Sequence, residues 1–176
     1  MPLSRFALPS RSGGRTRFEL LVRVLVVGIL AAILLERMLY YQEQAERTVM
    51  ETTIIHIRSG MRLHIADLMT QQRTNEIAAM LDENPVRWLD HPPGGYLGAL
   101  DAVPDDGIPG GSWYFDSAQG ELVYVPKWAR FFTGMQGKRE ARFKVKARVV
   151  SRALVSGQAL MTEGIDIVPS QAYKWF

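Results

Sequence analysis

The sequence predicts an α+β chain: one long N-terminal helix, its first half transmembrane and its second half amphipathic, followed by a small antiparallel β-sheet head. Three observations carry that expectation. Phe18 to Leu35 contains only two charged residues, Glu19 and Arg23, and Val24 to Leu35 contains none. Met50, Ile54, Ile57, Met61, Ile65 and Leu68 follow at spacings of 4, 3, 4, 4 and 3, which is one helical face. From Ala141 onward, Ala141, Phe143, Val145, Ala147 and Val149 alternate with Arg142, Lys144, Lys146 and Arg148. Period two with one apolar side describes a half-buried antiparallel strand.

Composition narrows the field. The 176 residues make one domain plus a little, and 47% hydrophobic with 22% charged residues excludes a wholly disordered chain. The absence of cysteine excludes a disulfide scaffold, a thiolate zinc site and a cysteine nucleophile. A net charge of +3 is too small to demand a polyanionic partner.

The apolar segment has the dimensions of a membrane span. Phe18 to Leu35 is 18 residues, and at about 1.5 Å per residue a helix of that length reaches ~27 Å, close to one hydrocarbon core. Its many valines and isoleucines are acceptable in lipid, where a helix satisfies its own backbone hydrogen bonds. Arg5, Arg11, Arg15 and Arg17 precede the span, whereas Glu36, Glu43 and Glu46 follow it. By the positive-inside rule the N-terminus stays cytoplasmic and the bulk of the chain crosses. No small-x-small site follows Leu35, so removal of the whole span as an ordinary signal peptide is not expected. Two charges inside the span need a reason. Arg23 is able to snorkel back to the cytoplasmic headgroups, and Glu19 suits the positive end of a helix.

Gly14-Arg15-Thr16-Arg17-Phe18-Glu19-Leu20-Leu21-Val22, continuing in one register to Gly28-Ile29-Leu30-Ala31-Ala32-Ile33, resembles the N-terminus of type IV pilins and type II secretion pseudopilins. The resemblance covers roughly residues 5–40. It implies a basic leader over 1–14, removed after Gly14 by a prepilin peptidase on the cytoplasmic face. Arg15 would then be the first mature residue, and its new amine would be methylated. It also implies that Glu19 pairs with the terminal amine of an adjacent subunit during assembly. A carboxylate in low dielectric is tolerable when paired, so such a contact would set the axial register. Arg15, Arg17 and Arg23 stand where the family has apolar residues, and Glu36 where many members have proline, which points to a minor rather than a major subunit. The implied partners are other pilin-like subunits, the peptidase, an inner-membrane assembly platform and the lipid bilayer. The implied location is the inner membrane, single-pass, with the head periplasmic or in a surface filament. Two alternatives stay open: an uncleaved single-span accessory protein of such a machine, or an anchored DNA- or ligand-binding module.

The remaining layout follows from punctuation. A transmembrane helix is expected over 15–37 and an amphipathic helical stem over 38–83, running to about Leu81, with Asn84-Pro85 closing it. Residues 84–112 are dense in proline and glycine and read as an irregular connector. The head spans 113–176. Trp113-Tyr114-Phe115 and Leu122-Val123-Tyr124-Val125 flank a hairpin turn, and Gly164 to Val168 reads as a last short strand.

Little in the chain looks like chemistry. His64 and Asp67 lie one turn apart on a helix, too few ligands for a metal, and His56 is two turns from His64. Asp105-Asp106-Gly107 suggests a turn or at most a weak calcium loop. No Gly-x-Ser-x-Gly elbow or nucleophile with a base is evident. The expectation is a non-enzyme with no metal and no cofactor. Arg142, Lys144, Lys146 and Arg148 project from one strand face at steps of about 6.8 Å. A solvated sheet face is the first reading of that stripe, a surface for an acidic partner the second, and a nucleic-acid surface the last.

Overall fold

The computed structural model describes the backbone of residues 13–104, 107–154 and 157–176, and side chains for all of these except 13–15, 136, 149–154 and 157–163. The chain is α+β and divides into two units, Met1–Tyr41 and Gln42–Phe176. Helix α1 (Gly13–Thr70) contributes to both.

In the first unit, α1 presents its apolar side chains to the outside. Phe18, Leu21, Val24, Leu30 and Leu34 are all exposed. This is one helix near the N-terminus that is long and apolar enough to cross a membrane, and its most apolar stretch has nothing packed upon it. Such a surface in water would be strongly unfavourable, so the feature is compatible with a membrane anchor.

In the second unit, α1 lies on a five-stranded sheet of order β1-β2-β3-β5-β6. The strands are β1 (Tyr96–Leu100), β2 (Ser112–Asp116), β3 (Glu121–Val125), β5 (Ala141–Leu154) and β6 (Gly157–Pro169). The short β4 (Phe132–Thr133) and β7 (Lys174–Trp175) form a separate antiparallel pair, with Phe132 opposite Trp175. The stripe on α1 is the core seam. Met50, Ile54 and Ile57 pack with Trp113, Leu122, Tyr124, Phe143 and Ile167. Met61 and Leu68 pack with Met80, Val145 and Ile165, with Ile65 alongside. Each of the fully buried side chains Met50, Ile57 and Met61 contributes about 1.5–3 kcal/mol.

The helix stops at Thr70, eleven residues short of the expected end, and a 3₁₀ segment runs from Thr74 to Leu81. The stripe itself explains the break. At 3.6 residues per turn, Ile77, Met80 and Leu81 would point roughly 180°, 120° and 140° away from Leu68 if the helix continued. Instead Gln72 takes a left-handed conformation, φ 59°, and the Arg73 N–H donates to the Leu68 carbonyl at 2.8 Å. The chain turns back, and Met80 is buried in the second half of the core.

The sheet is mixed rather than wholly antiparallel. Tyr96–Leu100, expected to be irregular, pairs in parallel with β2, while β2–β3, β3–β5 and β5–β6 are antiparallel. Its strand character is masked in the sequence by Gly98 and by the prolines on both sides. The expected last strand, Gly164 to Val168, is part of the longer β6, which pairs with β5 back to Gly157. At the outer edge of β6, Arg58 of α1 pairs with Asp166 at 2.6 Å and also donates to the Ile167 carbonyl at 3.0 Å. The Ile167 N–H donates to the same Asp166 carboxylate at 2.9 Å.

Gly60, the one glycine in the lower half of α1, is required by close approach. A Cβ there would sit 2.3 Å from the Trp88 carbonyl oxygen, because the 3₁₀ turn Pro85–Trp88 lies directly on the helix. Gly60→Ala should therefore lower the unfolding free energy of the head by about 2–3 kcal/mol, read by chemical denaturation in detergent. An unchanged midpoint would mean that the turn moves aside without cost.

Candidate functional site

The residues singled out by the sequence fall in three places. The Gly14–Arg15 junction lies in the first turn of α1, and the Arg15 side chain, like the leader residues 1–12, lies outside the described residues. Glu19 lies one turn before Arg23, and the two form an ion pair along the helix surface. Both side chains stay largely exposed on the helix, 73% for Arg23 and 60% for Glu19. An i,i+4 pair with the acid N-terminal is the favoured orientation, and it lowers the cost of carrying either charge in a low dielectric.

The basic strand is not one uniform surface. Arg142 is buried, with 7% of its side chain exposed, among Asp116, Glu121 and Glu140. Its Nε donates to Glu140 at 3.0 Å, and its Nη1 donates to Asp116, Gln119 and Glu121 at 3.0, 3.1 and 3.2 Å. Register places these groups together: Asp116 opposes Glu121 across the hairpin, and Arg142 opposes Val123 one strand further on. Burial works against the guanidinium charge, but the hydrogen bonds it donates to Glu140, Asp116 and Glu121 outweigh it and hold its pKa above the usual range. Tyr114 is buried on the same face, and burial together with nearby Glu140 raises its hydroxyl pKa. Arg142 is thus an interior residue and unavailable to a partner, a correction to the four-residue stripe. Lys144 is half-buried and donates to the Gln119 carbonyl at 3.0 Å. Lys146 and Arg148 are exposed.

Two carboxylates expected only as the acidic flank of the span are tied into the head. Glu43 is 2% exposed and accepts from the Phe131 N–H at 2.9 Å and the Trp175 indole N–H at 3.0 Å. Glu46 accepts from the Tyr124 hydroxyl at 2.7 Å and from the backbone N–H groups of Lys127 and Trp128 at 2.6 and 2.8 Å. Arg47 donates to the Trp175 carbonyl at 2.9 Å. These residues hold the 127–131 loop and the C-terminal strand β7 against α1. A signal for them existed, since positions 43, 46 and 47 continue the Met50–Leu68 face towards the N-terminus at helical spacing.

The three histidines share one open groove of ≈ 650 Å³, with His56, His64 and Asp67 on α1 facing Arg87, Trp88, Asp90 and His91. Local sequence spacing could not bring His91 to the others; the Pro85–Trp88 turn does. Among the described residues no group of three or more His, Cys, Asp or Glu is placed to hold a metal ion. Asp105 and Asp106 of the weak calcium loop lie outside the described residues.

No protein-family model, curated protein or solved structure matches the chain.

Proposed function

We propose that this chain is a membrane-anchored, pilin-like subunit, a minor pilin or pseudopilin, that helps assemble a type IV pilus or a type II secretion pseudopilus. One observation carries the reading: Gly14 and Glu19 stand at the family's spacing at the head of a helix whose apolar side chains are exposed through Leu35. An isolated helix of that kind needs lipid before assembly and other helices after it. In this reading the leader is cut after Gly14 at the cytoplasmic face of the inner membrane, and the head works in the periplasm or in a surface filament. Arg23 neutralises Glu19 while the subunit waits in the bilayer. On assembly the carboxylate exchanges or shares that partner with the new terminal amine of a neighbour. The exchange replaces one ion pair by another, so it selects register without requiring a large gain in energy.

The Glu19–Arg23 pair also favours a second reading, because a carboxylate already neutralised within its own helix requires no neighbour. In that case the chain is an uncleaved single-span accessory protein of the same kind of machine. The mass of the membrane-extracted protein separates the two. The first reading expects loss of residues 1–14, and expects Gly14→Leu to leave a longer, membrane-retained precursor. A wild-type protein that keeps its leader would transfer the assignment to the accessory reading.

A further inference from the structure

We infer that the loop Lys127–Phe131 is a bilayer-contact element that binds an anionic lipid surface. The inference rests only on the anchored part of the functional reading, not on its pilin-like part. The loop alternates basic and aromatic residues, Lys127-Trp128-Ala129-Arg130-Phe131. Trp128 and Phe131 are each 41% exposed, whereas Trp113 and Trp175 are buried and Trp88 is partly buried. Each cation lies against its aromatic neighbour, Lys127 5.5 Å from the Trp128 ring and Arg130 5.6 Å from the Phe131 ring. The result is a patch with apolar faces and positive rims. Amphipathic aromatics with Lys and Arg are the side chains that settle at the headgroup level of a membrane.

Position along the chain supplies the rest of the argument. The loop is tied at both ends to one turn of α1. Glu46 accepts the N–H groups of Lys127 and Trp128, and Glu43 accepts that of Phe131. Only residues 36–42 separate Leu35, the end of the apolar run, from Glu43. Even fully extended, that stretch reaches no further than about 28 Å. The patch is therefore tethered permanently within reach of the surface, at an effective concentration that makes a weak intrinsic affinity sufficient. Two of the nearby acids, Glu43 and Glu46, are engaged by the loop's own N–H groups, and the exposed Glu36 of the tether is followed directly by the exposed Arg37. Lys127 and Arg130 stay exposed on the outside. Their attraction acts within a Debye length of roughly 8 Å at physiological salt, so it operates only when the loop is seated.

The test uses the full chain in nanodiscs of phosphatidylcholine and phosphatidylglycerol, with ordinary or acyl-brominated lipids. No tryptophan lies between Thr16 and Tyr41, so the indole emission comes entirely from the head. Brominated lipid is expected to quench part of that emission in the wild type. Trp128→Phe should abolish that quenched part. Removing both charges in K127Q/R130Q should reduce it, since each cation at an anionic surface is worth about fivefold in partitioning. Absence of quenching in the wild type, or equal quenching in Trp128→Phe, overturns the inference while the chain remains in the discs. A chain that never enters the discs overturns the anchored reading, and this inference with it.

Discussion

Arg142→Leu is expected to destabilise the head by about 3–5 kcal/mol, because it strands three carboxylates in a largely water-excluded site. Total domain stability is commonly about 5–15 kcal/mol, so the variant should lose about a fifth or more of its stability. The physical cause is specific. Asp116, Glu121 and Glu140 all direct oxygens at one guanidinium, and leucine offers none of the donors. Lys146→Leu and Arg148→Leu on the same strand serve as controls, since exposed substitutions usually stay within about 0.5 kcal/mol. Chemical denaturation of the three variants in detergent decides the matter. Equal midpoints would mean that the cluster contributes nothing and that Arg142 belongs with the surface cations after all. For the same reason, a partner-binding scan of this strand should leave Arg142 in place, because its loss would be read as lost binding when it is lost folding.

Glu46→Ala should destabilise the head by about 1–3 kcal/mol, the cost of a partly buried donor left without its acceptor. The Tyr124 hydroxyl is part-buried, whereas the Lys127 and Trp128 N–H groups are exposed and can turn to water. The variant should also release the 127–131 loop, visible as faster amide exchange at Lys127 and Trp128. There is a pH signature as well. Burial, and then the hydrogen bond to Glu46, raise the Tyr124 hydroxyl pKa above its usual range. The folded state therefore holds that proton more tightly than the unfolded chain. The associated stability is complete below about pH 10 and is lost as pH rises through the folded value. Glu46→Ala should make the alkaline fall in stability shallower. A variant with wild-type midpoint, exchange and alkaline slope would show that the clamp is ornamental.

Comparison of these sites with the sequence shows where pattern reading works and where it stops. The Met50–Leu68 face was legible because helical period depends only on neighbours along the chain, and a buried face must repeat. The hairpin around Ser117–Gly120 and the strand from Ala141 were legible for the equivalent period-two reason. The end of α1 was less so: no proline or glycine marks it, and the loss of stripe register after Leu68 is the sole local sign. Arg142 was not legible as an interior residue. Alternation tells which side of a strand a residue is on, but not which acids a hairpin turn and the next strand bring to it. Glu43 and Glu46 were obscured by their place just after an apolar span, where acids are expected on topological grounds alone. The histidine groove needed the Pro85–Trp88 turn, a contact 28 residues away in sequence from the Gly60 that admits it.

The treatment of Ile167 has a consequence for how copies of this chain can meet. β6 ends the five-stranded order, and an open border of that kind is a template on which a second molecule can extend the pleat indefinitely. Here the amide and carbonyl of Ile167 are already occupied, one by Asp166 and the other by Arg58. An incoming chain would have to break a 2.6 Å ion pair before it could zip past that point. Growth by strand addition is hindered there by Asp166 of the strand itself and Arg58 of the molecule's own helix. On this border of the sheet, lateral accretion past Ile167 therefore carries the cost of that ion pair, a barrier that the opposite border, β1, does not share.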